Sequence, residues 1–428
     1  MKICKGTLTV AALVLALFFL NINAYAISPE TELLLKLLEK KGIITKDEAA
    51  ELQREVEAVA PGALDKETIK AEIKAELKQE GGPLAGFGDN ITIRGAVEVD
   101  YQFRDHRDRN DANSDSTSDL YASTVELGVE ARINDATTAN ILFKLEDIDK
   151  SGTTGNTDNN DDPNSSDNPF IDEAFVTIFN PAKCPFYAIL GKRAQPFGQL
   201  FTHTISDPVT KDAYEISTTG ATVGYAPADF FGLDASLTVY KGEKVMGQLR
   251  DNIIGPTNLA NPGRNSSHAE TDDVSSYIAS LSAKPVEALT IGVAFDSEPG
   301  DNNRNETLNL FAEFSMADVT VDAEYFKATK REKLADNMAY KENAWVLGVA
   351  YQIMERLELA LRYENFDNDR SVAAGGDFDH TIVFGANYDL FENVTLMGEY
   401  RNLKEKAAAG STYEESVNEF NLRVAVGF

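Results

Sequence analysis

Cysteine is nearly absent: two occur in 428 residues, Cys4 and Cys184. Cys4 falls in an apolar leader, which leaves Cys184 without an intramolecular partner and excludes both a disulfide framework and a thiolate metal site. Histidine is almost as scarce. The four (His106, His203, His268, His380) have no metal-ligand spacing and read as loop residues, so no metal and no cofactor is expected. Basic residues are outnumbered, 40 Lys and Arg against 69 Asp and Glu, for a net charge of −29. That deficit excludes nucleic acid as a partner, because phosphate binding needs clustered Lys and Arg. No nucleophile is placed with a base, so no catalytic residue is assigned and the chain is not read as an enzyme. Beyond the leader no segment approaches the roughly 18 continuous apolar residues of a spanning helix. Asp/Asn runs such as 157–162 lack a complete EF-hand-like spacing and read as solvated loop.

What is present begins with that leader. Lys2 and Lys5 precede an apolar run from Leu8 to Leu20, and Ala24-Tyr-Ala26 is a cleavage signal, so residues 1–26 are expected to be a removed signal peptide. Residues 27–80 carry helical periodicity. Leu33, Leu34, Leu37 and Leu38 share a face, Gly42 ends the helix, and Thr45-Lys-Asp-Glu48 is a capping box for the next. A third, charged stretch has the narrow stripe Ile69, Ile73 and Leu77, too short to establish a coiled coil. A periplasmic helical hairpin, with peptidoglycan as a partner of residues 28–80, is the expectation. Residues 81–90 form a Gly-rich linker.

From Ile91 the period switches to two and stays there. Val97, Val99, Tyr101 and Phe103 oppose Ala96, Glu98, Asp100 and Gln102; Leu357, Leu359, Leu361 and Tyr363 oppose Glu358, Arg362 and Glu364. The last stretch is the clearest: Phe420, Leu422, Val424, Val426 and Phe428 fall on one parity and Glu419, Asn421, Arg423, Ala425 and Gly427 on the other. An apolar stripe of this kind resembles the closing strand and assembly signal of bacterial outer-membrane β-barrels, which implies the barrel assembly machinery as a partner. About sixteen such stretches fit between 91 and 428, most of the nine to eleven residues that a tilted strand needs to cross a bilayer. Tight connections near 135, 182, 228, 287, 317, 355 and 391 alternate with long Asp-, Asn-, Gly- and Ser-rich ones. A mean hydropathy of −0.28 fits, since polar and apolar residues alternate.

The expected fold is therefore all-β: a 16-stranded antiparallel transmembrane barrel over 91–428, in outer-membrane lipid and lipopolysaccharide, preceded by a short periplasmic helical segment. A soluble sandwich matches the alternation locally but gives no reason for sixteen spanning-length strands with alternating loop lengths. Sixteen strands leave an aqueous bore.

The third long loop, 196–212, is apolar where the others are polar, with Phe197, Leu200, Phe201, Ile205 and Val209. Those side chains need burial, and folding into the lumen as a constriction supplies it. Asp207 and Asp212 are then expected to face basic lumen residues, for which Arg94, Lys192, Arg362, Arg401 and Arg423 are the candidates. Opposed charges across a narrow bore filter by sign, and an excess of inward acids predicts a weak cation preference.

Ser118-Asp-Leu-Tyr-Ala-Ser-Thr-Val-Glu-Leu-Gly-Val-Glu-Ala-Arg-Ile-Asn-Asp135 resembles the second strand of the siderophore-porin family typified by the legiobactin-uptake porin. Asp172-Glu-Ala-Phe-Val176, Pro185-Phe-Tyr-Ala-Ile-Leu-Gly-Lys192, Pro196-Phe-Gly198 and Ile205-Ser-Asp-Pro208 resemble it too. The resemblance implies a water-filled outer-membrane channel for passive or selective uptake of small hydrophilic solutes or ions, iron–siderophore complexes among them. Resemblance to general porins implies a homotrimer. The alternative is a structural protein whose N-terminal helices tether the membrane to the cell wall.

Overall fold

The computed structural model describes residues 90–107, 114–150, 169–228, 230–251, 273–333, 337–367, 369, 378–405 and 416–428. The expected signal peptide, the expected helical segment and nearly all of the Gly-rich linker lie outside these residues.

Sixteen antiparallel strands close on themselves, each paired with its neighbours in sequence and β1 with β16. They are β1 Ile91–Arg107, β2 Asp115–Asn134, β3 Thr137–Ile148, β4 Phe170–Asn180, β5 Cys184–Ala194, β6 Ser217–Tyr225, β7 Asp234–Tyr240 and β8 Ser276–Val286. The second half comprises β9 Leu289–Glu298, β10 Asn305–Met316, β11 Val319–Lys330, β12 Asn343–Met354, β13 Leu357–Asp367, β14 Phe378–Phe391, β15 Val394–Glu405 and β16 Ser416–Gly427. Among the described residues two short helices lie between strands: α1, Val209–Tyr214, and α2, Val245–Asp251. No helix among the described residues is long and apolar enough to cross a membrane. The strands do the crossing.

Alternation decides which face is which. Leu347, Val349 and Tyr351 of β12 are exposed on the outside, whereas Val346 and Ala350 are buried within. On β16, Phe420, Val424, Val426 and Phe428 are exposed outward and Asn421 is buried inward. In lipid the backbone groups must be satisfied internally, and closure leaves no edge to satisfy. The seam runs from Ala96↔Gly427 to Arg107↔Ser416. Phe428 completes it by exchanging backbone bonds with Gly95 (2.9 and 3.0 Å).

Several strands run further than hydropathy alone predicts. The β1–β2 ladder continues to His106↔Asp115, although 104–118 reads as loop. Both faces of this extension are polar, so the apolar period disappears while the backbone ladder persists. The reverse holds at β6, since the third long loop is expected to end at 212 and runs on to 216. Ala213 and Tyr214 belong to α1, where the pairs Val209/Ala213 and Thr210/Tyr214 are buried at helical spacing. Within β2, Ser123 is an extra residue between Ala122 (opposite Val99) and Thr124 (opposite Glu98). This bulge reverses the parity, turning Leu120 outward while Tyr121 and Ser123 are buried inward.

The inner face is not polar throughout. Phe326, Ala344, Val346, Phe366, Leu403 and Val417 point inward and bury Phe197, Val209, Ala213, Tyr214, Val245, Met246 and Leu249 of the third and fourth loops. Tyr214 stacks on Phe326 with centroids 4.3 Å apart, and Phe197 meets the same ring edge-on at 5.3 Å. An apolar core thus occupies one side of the bore.

Candidate functional site

The third loop leaves β5 at Gln195, whose side-chain amide donates to the Thr218 carbonyl (2.6 Å), and returns at Ser217. Between these points its backbone N–H groups are taken by carboxylates standing on alternate strands. Glu324 on β11 accepts from Gln199 N (2.8 Å) and Leu200 N (3.0 Å). Glu364 on β13 accepts from Val209 N (2.6 Å), and Glu399 on β15 accepts from Ser206 N (2.8 Å). Glu298 on β9 does the same for the fourth loop, accepting from Lys244 N and Val245 N at 2.6 and 3.0 Å. Loop amides with no ladder partner need acceptors once buried, and acceptor-only carboxylates supply them. The loop consequently lies inside the barrel.

Arg362, one of the candidate selectivity residues, is consumed by this arrangement. It is 3% exposed. Its Nε donates to Glu364 (2.7 Å), and its terminal nitrogens donate to Thr202, Thr204, Ser206 and the Asp207 carbonyl. It clamps the loop to β13 and offers no charge to the bore. Lys192 is a correction. It lies on the same parity of β5 as the exposed Phe186 and Leu190, donates to the Ile171 carbonyl (2.6 Å) and sits over the Phe170 ring (5.8 Å). Its neighbour Arg193 is the inward residue. Arg94 faces inward near the N-terminal end of β1, bonded to Asn140 (3.3 Å), and is not among the residues around the loop acids.

Arg401, Arg423 and Asp207 do come together, around a cavity of about 470 Å³ between the third loop and strands β1, β2, β3, β15 and β16. Asp207 holds Lys211 of its own loop (3.0 Å). Arg423 bonds Asp100 with two nitrogens (2.7 and 2.8 Å) and Glu98 with a third (2.8 Å). Arg401 reaches Glu419 (3.3 Å), Lys144 reaches Glu146 (2.7 Å), and Lys150 reaches Asp147 (3.0 Å). Lys150 also lies over the Tyr121 ring, 4.8 Å from its centroid. Seven carboxylates and five bases line the cavity, and each base has a carboxylate partner. The lining is acidic by two charges.

Asp212 stands on α1, half-buried beside this cavity. Burial, and then the negative charge of Asp207, push its carboxyl up to about 7, against the opposing pull of Arg401.

The strand carboxylates that hold the loop were readable only as inward charges; nothing local distinguishes Glu324 or Glu399 from an acid facing water. His203 lies on this loop, with its side chain about a quarter exposed. Its Nε2 lies 3.6 Å from Asp322 and its Nδ1 3.7 Å from Glu358, and its carbonyl accepts from Asn387 (2.9 Å). The inward apolar positions had a usable signal: stretches such as Ala344-Trp-Val-Leu347 are apolar on both parities.

Three comparisons bear on this arrangement. An anion-selective porin from Comamonas acidovorans superposes with a TM-score of 0.54 at 15% identity, over 79% of this chain and 99% of that one. The outer membrane channel DcaP of Acinetobacter baumannii gives 0.54 at 15% identity, over 79% and 97%. At such identity the likeness is one of fold. A UPF0422 protein of Coxiella burnetii is 25% identical over 168 residues, a match spanning 39% of this chain and 36% of the relative. The profile of the Gram-negative porin family matches residues 74–408, well over half of the sequence. With a closed sixteen-stranded barrel and a charged, loop-narrowed bore, the chain belongs to the Gram-negative porin family and is an outer-membrane channel.

Proposed function

We propose that the barrel conducts small hydrophilic solutes and ions passively, with a weak preference for cations, through the gap between the third loop and the wall formed by β1–β3, β15 and β16. The observation that carries this is the paired but acid-excess lining. Every base there is neutralised locally, so the surplus carboxylates set the sign of the field in a poorly screened space. Asp207, Arg401 and Arg423 are the residues assigned to the filter, with Asp212 modulating it. Reversal potentials across a planar bilayer in a KCl gradient test the reading. A potential of cation-selective sign is expected, and an anion-selective one overturns the charge assignment.

Iron–siderophore complexes are the specific cargo suggested by the resemblance of 118–135 and 185–192 to siderophore porins. Uptake of iron chelates by a strain lacking its own route, with and without this chain, tests that specificity separately from conductance. The homotrimer, the signal peptide over 1–26 and the peptidoglycan-facing helices over 27–80 are proposals on the same footing. Deleting 28–80 is expected to leave conductance intact.

A further inference from the structure

A second cavity, of about 320 Å³, lies against β4 to β8 beneath the root of the third loop. Thr177, Tyr187 and Asp234 on its lining sit beside the short turns 181–183 and 226–233, which places it toward the periplasmic half of the bore. Its chemistry differs from that of the first. There every base has its carboxylate. Here, among the described residues, Arg193 makes no ion pair and its shielded Nε has no acceptor. The one carboxylate on the lining, Asp234, already accepts the Tyr187 hydroxyl at 2.8 Å. Ser236, Ser280 and Ser282 add three hydroxyls, each able to donate and accept. Phe179 and Tyr187, edge-on at 5.6 Å, supply an apolar wall.

We propose that this cavity is a solute subsite in which Arg193 receives the oxyanion of a small hydroxylated molecule, a carboxylate or a phosphoryl group, while the serines face its hydroxyls. A guanidinium presents a planar fork of donors that matches two oxygens of either group at once. Two parallel N–H donors engaging two oxygens at once favour an oxyanion over the single sphere of chloride. The proposal rests on the channel reading. It adds that a bore preferring cations overall retains one class of anion on its periplasmic side.

The test uses the full-length protein in planar bilayers at fixed potassium, with gluconate and inorganic phosphate as probes added to either side. The KCl current is expected to fall saturably with one or both, and not with equal chloride or with neutral glucose. Block by gluconate alone assigns a carboxylate ligand and block by phosphate alone a phosphoryl one. With each protein normalised to its own KCl current, Arg193→Gln is expected to raise the half-blocking concentration at least tenfold. Arg193→Lys, which keeps the charge and loses the fork, raises it less and covers the case in which the glutamine variant does not fold. Unchanged block in Arg193→Gln, or equal block by chloride, overturns the subsite. Absence of any KCl current overturns the channel reading instead. In that case broadening of the gluconate proton or phosphate phosphorus resonances by detergent-solubilised wild type, abolished in the variant, still decides the subsite, and broadening of neither overturns it.

Discussion

Arg362 and Glu364 fasten the middle of the third loop to β13. They are buried together at 3% and 0% exposure, and between them they engage the loop at Thr202, Thr204, Ser206, Asp207 and Val209. Removing one partner of such a pair strands the other charge, at a cost of roughly 3–5 kcal/mol. Arg362→Gln is therefore expected to release the loop and raise both single-channel conductance and current noise, while Lys192→Gln on the outer face changes neither. Asp212 gives a second expectation at this scale. Its carboxyl is neutral below about pH 7 and ionised above it, so negative charge is added to the constriction as pH rises. Cation preference from reversal potentials is expected to increase between about pH 6 and about pH 8.5, and Asp212→Asn to abolish the increase. In stability the sign is the opposite of a salt-bridged acid. A folded pKa above the ordinary value favours the fold fully at low pH, and that contribution is lost as pH rises through about 7. At this scale the sequence is least legible. Lys192 and Arg193 are adjacent bases, and only the phase of β5, set by its pairing with β4 and β6, decides which one faces the bore.

Among elements, the strands were legible and the loop helices were not. A strand in lipid writes its period into the sequence, because every outward residue pays for polarity, and sixteen such stretches emerge from hydropathy alone. The helix α1 spans six residues, too few for a period to stand out, and its apolar residues read equally well as the beginning of β6. Its place follows from long-range contacts: Tyr214 on Phe326, and Val209 N on Glu364. Packing here is a core in the ordinary sense, although it lies inside a bore. Ala213 is fully buried, so Ala213→Glu places an unpaired charge where no water reaches and is expected to expel the helix. The measurable outcome is faster proteolysis within 195–216 while the barrel itself remains resistant. Phe197→Ala, which leaves a void beside Phe326, is expected to give the same result more weakly.

For the whole molecule, closure is the decisive event, and Gly95 shows how tightly the seam is built. A Cβ at this position would lie 2.3 Å from the Phe428 ring, so the ring rests on bare backbone. Gly95→Leu is expected to displace that ring and lower the fraction of protein that keeps its compact, heat-shifted mobility on unheated gels. The two strands at the seam are far apart along the chain: Gln102 bonds Asn421 across 319 intervening steps of sequence (3.1 Å). Local hairpins can form early, but the last ladder needs both ends of the sheet to be present at once, and a non-local pairing of this kind is slow. Until then β1 and β16 are open edges with a dozen unpaired registers, able to zip onto any other strand. The barrel is thus exposed to aggregation until its final stitch is made, and anything that slows that stitch lengthens the exposure.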